Sequence, residues 1–189
     1  MSPVEDKREA ILAATLRLIA RHGFHGTAMS KVAKEAGVSA GIIYHYFKNK
    51  DELIIELYRV VKRGFADALF VAIDPGKPLS VQIRELCALC FRYSLQHPRE
   101  VTFLEQFTNS PYNEPAIRDE VERYFEPLLD CFERAKKEMI IKDLPPPVIG
   151  TLTVDVASSL ARKQASGVLE LDDPLIDRVV DALWEAIRR

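Results

Sequence analysis

The sequence predicts an all-α protein: a three-helix head, a long fourth helix, and a helical body, about nine helices in all. Three observations carry this. Apolar residues recur at three- and four-residue spacing through most of the chain. Helix-ending signals (Gly, Asn, and Pro-rich breaks) separate those runs. No alternating apolar and polar stretch marks a strand. At 189 residues the chain can bury a good core as one domain or as two small coupled ones.

The first helix is expected from about Glu5 to His22, with a broad apolar stripe of Ile11, Leu12, Thr15, Leu16, Leu18 and Ile19. Gly23 reads as the residue past its end and Phe24 as the hydrophobic contact that follows. The second places Met29, Val32, Ala33 and Ala36 at i, i+3, i+4 and i+7, with Thr27 as its N-cap and Gly37 as its terminator. Ser39 can cap a third helix that begins at once and runs to about Tyr46 or Phe47. Two short helices around a Gly-containing turn form a helix-turn-helix. Small Ala33 permits close approach, Ile43 and Phe47 face inward, and Ala40, Gly41, Tyr44 and His45 are left outward. That outward face is small at its start and aromatic further on, a shape that suits a major groove.

Asn49 is a strong N-cap for the fourth helix, with Glu52 three residues on as its capping-box partner. This helix is expected over roughly Lys50 to Ala72, with Leu53, Leu57, Val60/Val61 and Phe65 along one side, too long to serve the head alone. Lys48 and Lys50 stand where a helix N-terminus and two ammonium groups could grip a phosphate. Tyr44 can offer its hydroxyl to phosphate and His45 its imidazole to phosphate or a base edge, a packing aromatic being the alternative for Tyr44.

Beyond Asp74-Pro75-Gly76-Lys77-Pro78, the strongest break, only helices are expected. Leu79 to Gln96 carries Ile83, Leu86, Cys90 and Tyr93 on one stripe. Arg99 to Thr108 holds Val101, Leu104 and Phe107, and 109–115 is a loop. Ala116 to Ile140 is long and amphipathic, with a bend near 123–127 imposed by Pro127. After three prolines (145–147) comes a small-faced helix from Val148 to about Ser166. Asp173-Pro174 then caps and starts the last helix, lined by Leu175, Val179, Leu183, Trp184 and Ile187.

The run AGVSAGIIYHYFKNKDEL from Ala36 to Leu53, entered through GFHGTAMSKVA from Gly23 to Ala33, closely resembles the DNA-binding segment of TetR-family transcriptional regulators. The resemblance is specific over about Arg8 to Leu57 and architectural beyond. It implies a homodimeric regulator, most simply a repressor released by a ligand, bound to a palindromic operator in double-stranded DNA. It also implies that positions matching Thr27, Ser39, Ala40, Gly41, Tyr44, His45 and Lys50 face the DNA. Because residues 40–43 are Ala, Gly, Ile and Ile, base readout by this helix is expected to be sparse and DNA shape to contribute more. By the same resemblance the last two helices form the dimer surface and the body holds an effector. Its expected lining is Phe65, Tyr93, Phe103, Phe107, Tyr124 and Phe125, plain core packing being the alternative for each, and the effector is expected to be small and largely apolar. The expected division is residues 1–50 for the DNA-binding domain and 51–189 for the ligand-binding and dimerisation domain.

Charge agrees with that division. Residues 1–50 hold eight Lys/Arg against four Asp/Glu, whereas residues 51–189 hold eighteen against twenty-four, so a basic head is set on an acidic body. No apolar run approaches the roughly 20 residues that span a bilayer, so no membrane partner is expected. The start MSPVEDKREA is polar, unlike a secretory signal. Three cysteines without metal-like grouping point to free thiols in a reducing cytoplasm, Cys87 and Cys90 reading as buried apolar residues. His22 and His25 lack a Cys or acidic partner nearby and read as wet surface or phosphate contacts, not metal ligands. No Gly-rich phosphate loop, nucleophile elbow or metal-ligating spacing is present, so neither catalysis nor a cofactor is expected. The rival to a regulator is a small-molecule-binding or scaffold module with only weak, non-specific DNA binding.

Overall fold

The computed structural model describes residues 3–189, so Met1 and Ser2 of the polar start lie outside it. Among the described residues the secondary structure is helical, the only β-type pairing being an isolated antiparallel bridge between Ile141 and Arg188. No helix among the described residues is long and apolar enough to cross a membrane. The chain divides into two compact units. One comprises residues up to Lys62 together with Arg99–Glu120; the other comprises Arg63–Pro98 together with Val121–Arg189.

The first unit begins with α1, Pro3–Gly26, which buries Ile11, Leu12, Ala14, Leu18 and Ile19. Gly23 interrupts it at φ 67, ψ 179, a combination open essentially to glycine alone. The helix therefore does not end there in a left-handed turn, as its pattern suggests, but makes one further turn through Phe24. The second helix, α2, is Met29–Ala36 and buries Val32 and Ala33. Its N-cap is Ala28, not Thr27: the Thr27 hydroxyl is spent on the Gly23 carbonyl at 2.9 Å, and the side chain is 2 % exposed. Burial turned the expected cap inward.

Gly37 ends α2 in the left-handed region (φ 68, ψ 29), its N–H reaching the Lys34 carbonyl at 3.3 Å while Val38 N–H reaches Ala33 at 3.0 Å. This is a complete Schellman closure. A Cβ added at Gly37 would meet nothing within 4 Å, so only backbone strain opposes a substitution there. Gly37→Ala should therefore cost about 1 kcal/mol in urea unfolding, the left-handed penalty for an L-residue. An unchanged midpoint would mean that the turn relaxes.

Helix α3 is Ala40–Tyr46 and α4 is Lys50–Phe70. Ile43 and Phe47 are buried, as the pattern requires, and of the Val60/Val61 pair it is Val61 that points inward. The same unit includes α6, Pro98–Thr108, from Arg99 onward, and α7, Pro115–Glu122, as far as Glu120. These helices close an aromatic core. Phe107 stacks on Tyr58 with ring centroids 3.9 Å apart; Phe103 lies 6.0 Å from Phe107 and 6.2 Å from Phe24; Tyr112 lies 5.3 Å from Phe24. Arg59 on α4 holds Glu120 through two bonds of 2.8 and 2.9 Å, and Glu56 at 3.3 Å, while Arg8 reaches the same Glu56. The Glu120 hydrogen bonds raise the Arg59 pKa further. Such partly exposed pairs add little net stability but fix how α7 lies on α4.

The second unit contains the end of α4, then α5, Leu79–Gln96. The loop between them is tied by Asp74, whose carboxylate accepts the Gly76 N–H at 2.8 Å. Pro127 does more than bend the expected 116–140 helix. It sits in the first turn of a new helix, α8 (Glu126–Lys137), after a tight turn at Arg123–Phe125, because its ring cannot follow an α-helical residue four positions back. The small-faced helix is also interrupted: α9 (Pro146–Gly150) and α10 (Val156–Ala165) flank one π-helical turn, Thr151–Asp155. The nine expected rods are thus present among the described residues, two of them interrupted. The last, α11, is Asp173–Ile187; its cap is Asp172, one residue before the expected Asp173, accepting the Leu175 N–H at 2.9 Å. At its other end Lys142 donates to the Ala186 carbonyl at 2.8 Å, a cation placed on the negative end of the helix.

Phe91, Ile83, Leu128, Ile141, Val180 and Ile187 fill this unit's core, with all three thiols buried among them. Burial raises the Cys87 pKa to about 12, against a small opposing effect of Arg84, and pushes Cys90 and Cys131 up as well. The folded thiols stay protonated where unfolded ones ionise, so the unfolded chain binds fewer protons above pH 9. Stability should then fall as pH rises from about 9 towards 12, and native thiols should resist alkylation at pH 8 until urea is added. Rapid labelling of native protein would contradict that burial.

Candidate nucleic-acid interface

The helix-turn-helix presents one clean outward face. Ser39, Ala40, Gly41, Tyr44 and His45 are exposed along α3, and Lys48 follows in the turn. Tyr44 is 56 % exposed, a large fraction for an aromatic side chain on a helix whose inner face is closed by Ile43. The His45 ring rests edge-on against Tyr46, 5.3 Å away, which orients it along the face. Ser39 takes the N-cap backbone conformation (φ −73, ψ 154), yet its hydroxyl makes no cap bond, contrary to the expected capping role. The orphan N–H groups at the start of α3 and an uncommitted hydroxyl lie side by side there. A Cβ built on Gly41 meets no atom within 4 Å, so that stretch of helix is open to close approach.

The turn after α3 is pinned at both ends. Asn49 caps α4 by accepting the Glu52 N–H at 2.8 Å, as the pattern predicts, and the Glu52 carboxylate reaches back to the Lys48 N–H at 2.7 Å. This is a capping box stretched by one residue. Lys50 differs from its expected use: its ammonium donates to the Phe24 carbonyl in the extra turn of α1. One of its three protons is thereby committed to holding the start of α4 against the Gly23 interruption. Lys48 carries no such tie and is exposed.

Charge on this face is one-sided. Between Thr27 and Lys50 the sequence has a single carboxylate, Glu35. Arg17 takes it at 2.8 Å, and that hydrogen bond holds the Glu35 pKa below its ordinary value. Lys34 in the last turn of α2 is exposed beside it, a basic group that periodicity alone did not single out. Lys31 donates to the Gly26 carbonyl at 3.0 Å. His22 and His25 are exposed. Among the described residues no three His, Cys, Asp or Glu side chains gather as a metal site needs.

The six residues expected to line an effector site do not form one group. Phe65, Tyr93, Tyr124 and Phe125 belong to the second unit, where the Phe65 ring lies 5.1 Å from Tyr93 and 6.0 Å from Phe125. The Arg63 guanidinium sits 4.1 Å above the Tyr124 ring, within cation–π range. Phe103 and Phe107 belong to the helix-turn-helix unit, both fully buried in its aromatic core. The stripe expected on α6 is Val101, Leu104 and Phe107; the structure buries Val101, Phe103 and Phe107 and leaves Leu104 half-buried, and the stripe does not say which core the helix enters.

Two short helices locked at a left-handed glycine, an exposed polar-aromatic face on the second, and surplus positive charge around it define a helix-turn-helix DNA-binding protein. Comparison with known proteins gives the same class. Residues 11–57 match the family described as bacterial regulatory proteins, tetR family, and residues 78–188 match the tetracyclin repressor-like C-terminal domain. An HTH-type transcriptional regulator from Haemophilus influenzae is 30 % identical over 97 % of both chains. A TetR family transcription regulator from Marinobacter aquaeolei VT8 superposes with a TM-score of 0.90 at 30 % identity, over 97 % of this chain and 96 % of that one. A TetR-family regulator from Haemophilus influenzae superposes at 0.83, again at 30 % identity, over 98 % of each. The chain belongs to the TetR family of transcriptional regulators, and it is not an enzyme.

Proposed function

We propose that the protein acts in the cytoplasm as a homodimeric repressor, binds a palindromic operator, and leaves it when a small effector occupies the body. The observation that carries this reading is the exposed α3 face, Ser39 to His45, over a fully closed inner face. Each head inserts α3 into a major groove, with half-sites about 34–36 Å apart or slightly further. Tyr44, His45, Ser39 and Lys48 make the polar contacts, and Lys50 adds one with the protons it has left. Ala40 and Gly41 allow close approach or touch a thymine methyl. Thr27 acts by holding the turn rather than by touching DNA, since its hydroxyl is already bonded inside.

DNA contact is assigned to residues 1–50, and effector binding and dimerisation to 51–189. Exposed Val148 and Val156, on the rod before α11, support the last two rods as the dimer surface. Phe65, Tyr93, Tyr124 and Phe125 are the proposed effector lining, which favours an apolar ligand. The effector prefers a state whose head spacing mismatches the operator. A coupling of about 1–3 kcal/mol changes affinity about 5- to 150-fold.

The test is selection from random duplex DNA by the purified protein at two salt concentrations. The expected result is an inverted repeat that survives the higher salt. Uniform, salt-sensitive retention without a motif would reduce the head to a source of charge and favour a binding or scaffold module instead.

A further inference from the structure

The helix-turn-helix is carried on a stretch of chain that leaves α1 at Phe24 and enters α4 at Lys50 and Asp51, and one side chain touches both ends. Tyr112, in the turn between α6 and α7, sets its ring 5.3 Å from Phe24 and donates its hydroxyl to Asp51 Oδ1 at 3.0 Å. Lys50 closes the third side by donating to the Phe24 carbonyl. All of these residues lie in the helix-turn-helix unit. The turn holds Tyr112 in place. Its N–H donates to the Ser110 hydroxyl at 3.2 Å, its carbonyl accepts the Glu114 N–H at 2.9 Å, and the Asn113 amide ties the turn to the Thr108 carbonyl at 3.0 Å. Its ring also stacks on Phe107, with 6.4 Å between centroids. On the other side of Gly23, Gln106 of α6 donates to the Ile19 carbonyl at 3.3 Å. The interruption in α1 is therefore gripped before and after the glycine, and the grip continues to the first turn of α4.

We propose that Tyr112 is a positioning residue for DNA binding. Acting through Asp51 and Phe24, it fixes the span between the end of α1 and the start of α4, and with it the pose that α2, α3 and Lys48 present to a duplex. A motif held in one pose spares the ordering cost of binding. The inference rests on the operator reading given above.

The experiment uses the full chain and Tyr112→Phe, which keeps the ring on Phe24 and Phe107 and removes only the hydroxyl. Amide hydrogen exchange over residues 24–50, followed without DNA, should quicken at least about three-fold, while exchange over 53–61 stays parental. Affinity, read by anisotropy, should fall at least about three-fold, within the net worth of one hydrogen bond. The probe is the inverted-repeat duplex returned by the selection, or random-sequence duplex at low salt if none is returned. In an Asp51→Ala background, where the acceptor is gone, Tyr112→Phe should change neither quantity, a coupling that a tyrosine serving only as core packing would not show. The proposal is overturned by parental exchange over 24–50, by equal effects of Tyr112→Phe with and without Asp51, or by parental affinity. The Tyr44/His45 double alanine variant in the same assay keeps the two readings apart. Parental binding there, with loss in Tyr112→Phe, removes the α3 interface and leaves Tyr112 in its role.

Discussion

Replacing Tyr44 and His45 together by alanine is expected to lower operator affinity at least about thirty-fold, each side chain contributing about 1–3 kcal/mol of DNA contact. The melting temperature and the oligomeric state should not fall. Both side chains are exposed, so their removal opens no cavity, and alanine favours the helix more than either residue it replaces. Fluorescence anisotropy with the selected operator, at two salt concentrations, separates two kinds of loss. Removing a phosphate contact weakens all sequences alike and flattens the salt dependence; removing a base contact relaxes discrimination at one position. Parental affinity in the double variant would displace α3 from the groove.

Phe107→Ala should be the most damaging single change in the helix-turn-helix unit. The ring is fully buried, stacked at 3.9 Å on Tyr58 and near Phe103 and Tyr112, so truncation leaves a void walled by rigid aromatic neighbours. A loss of about 3–5 kcal/mol in urea unfolding is expected. The same variant tests where Phe107 belongs. A residue lining an open effector pocket could be truncated at little cost, with the change appearing in ligand response instead. A loss below about 1 kcal/mol would favour that pocket over the core.

Features that depend on neighbours in sequence were legible from sequence. Gly37 as terminator, Asn49 with Glu52 as a cap, Asp74-Pro75 as a break and the outward set 40, 41, 44, 45 each follow from a few adjacent residues, and each is where the pattern puts it. What was not legible depended on distant partners. Thr27 has the chemistry of a cap, but the extra turn after Gly23 presents a nearer acceptor. Lys50 has the position of a phosphate ligand, and the same turn places a carbonyl beside its ammonium. Asp172 and Asp173 are chemically identical, so only the backbone decides which one caps α11. The π-helical turn at Thr151–Asp155 leaves no mark in the residue types, since Thr, Leu and Val also suit an ordinary helix. The partition of Phe103 and Phe107 from Phe65 and Tyr93 required knowing which helices α6 packs on.

The space around Gly41 bears on how such a protein changes over generations. A Cβ placed there meets no atom within 4 Å beyond the helix's own backbone, and helix propensity rewards losing the glycine by about 0.8–1 kcal/mol. A single codon change can therefore alter what α3 presents on its outer face without a debt in folding. The inner residues of the same helix have no such freedom, because Ile43 is sealed and Phe47 nearly so. One face of a seven-residue helix is thus held fixed by its own protein, while the other is free to vary.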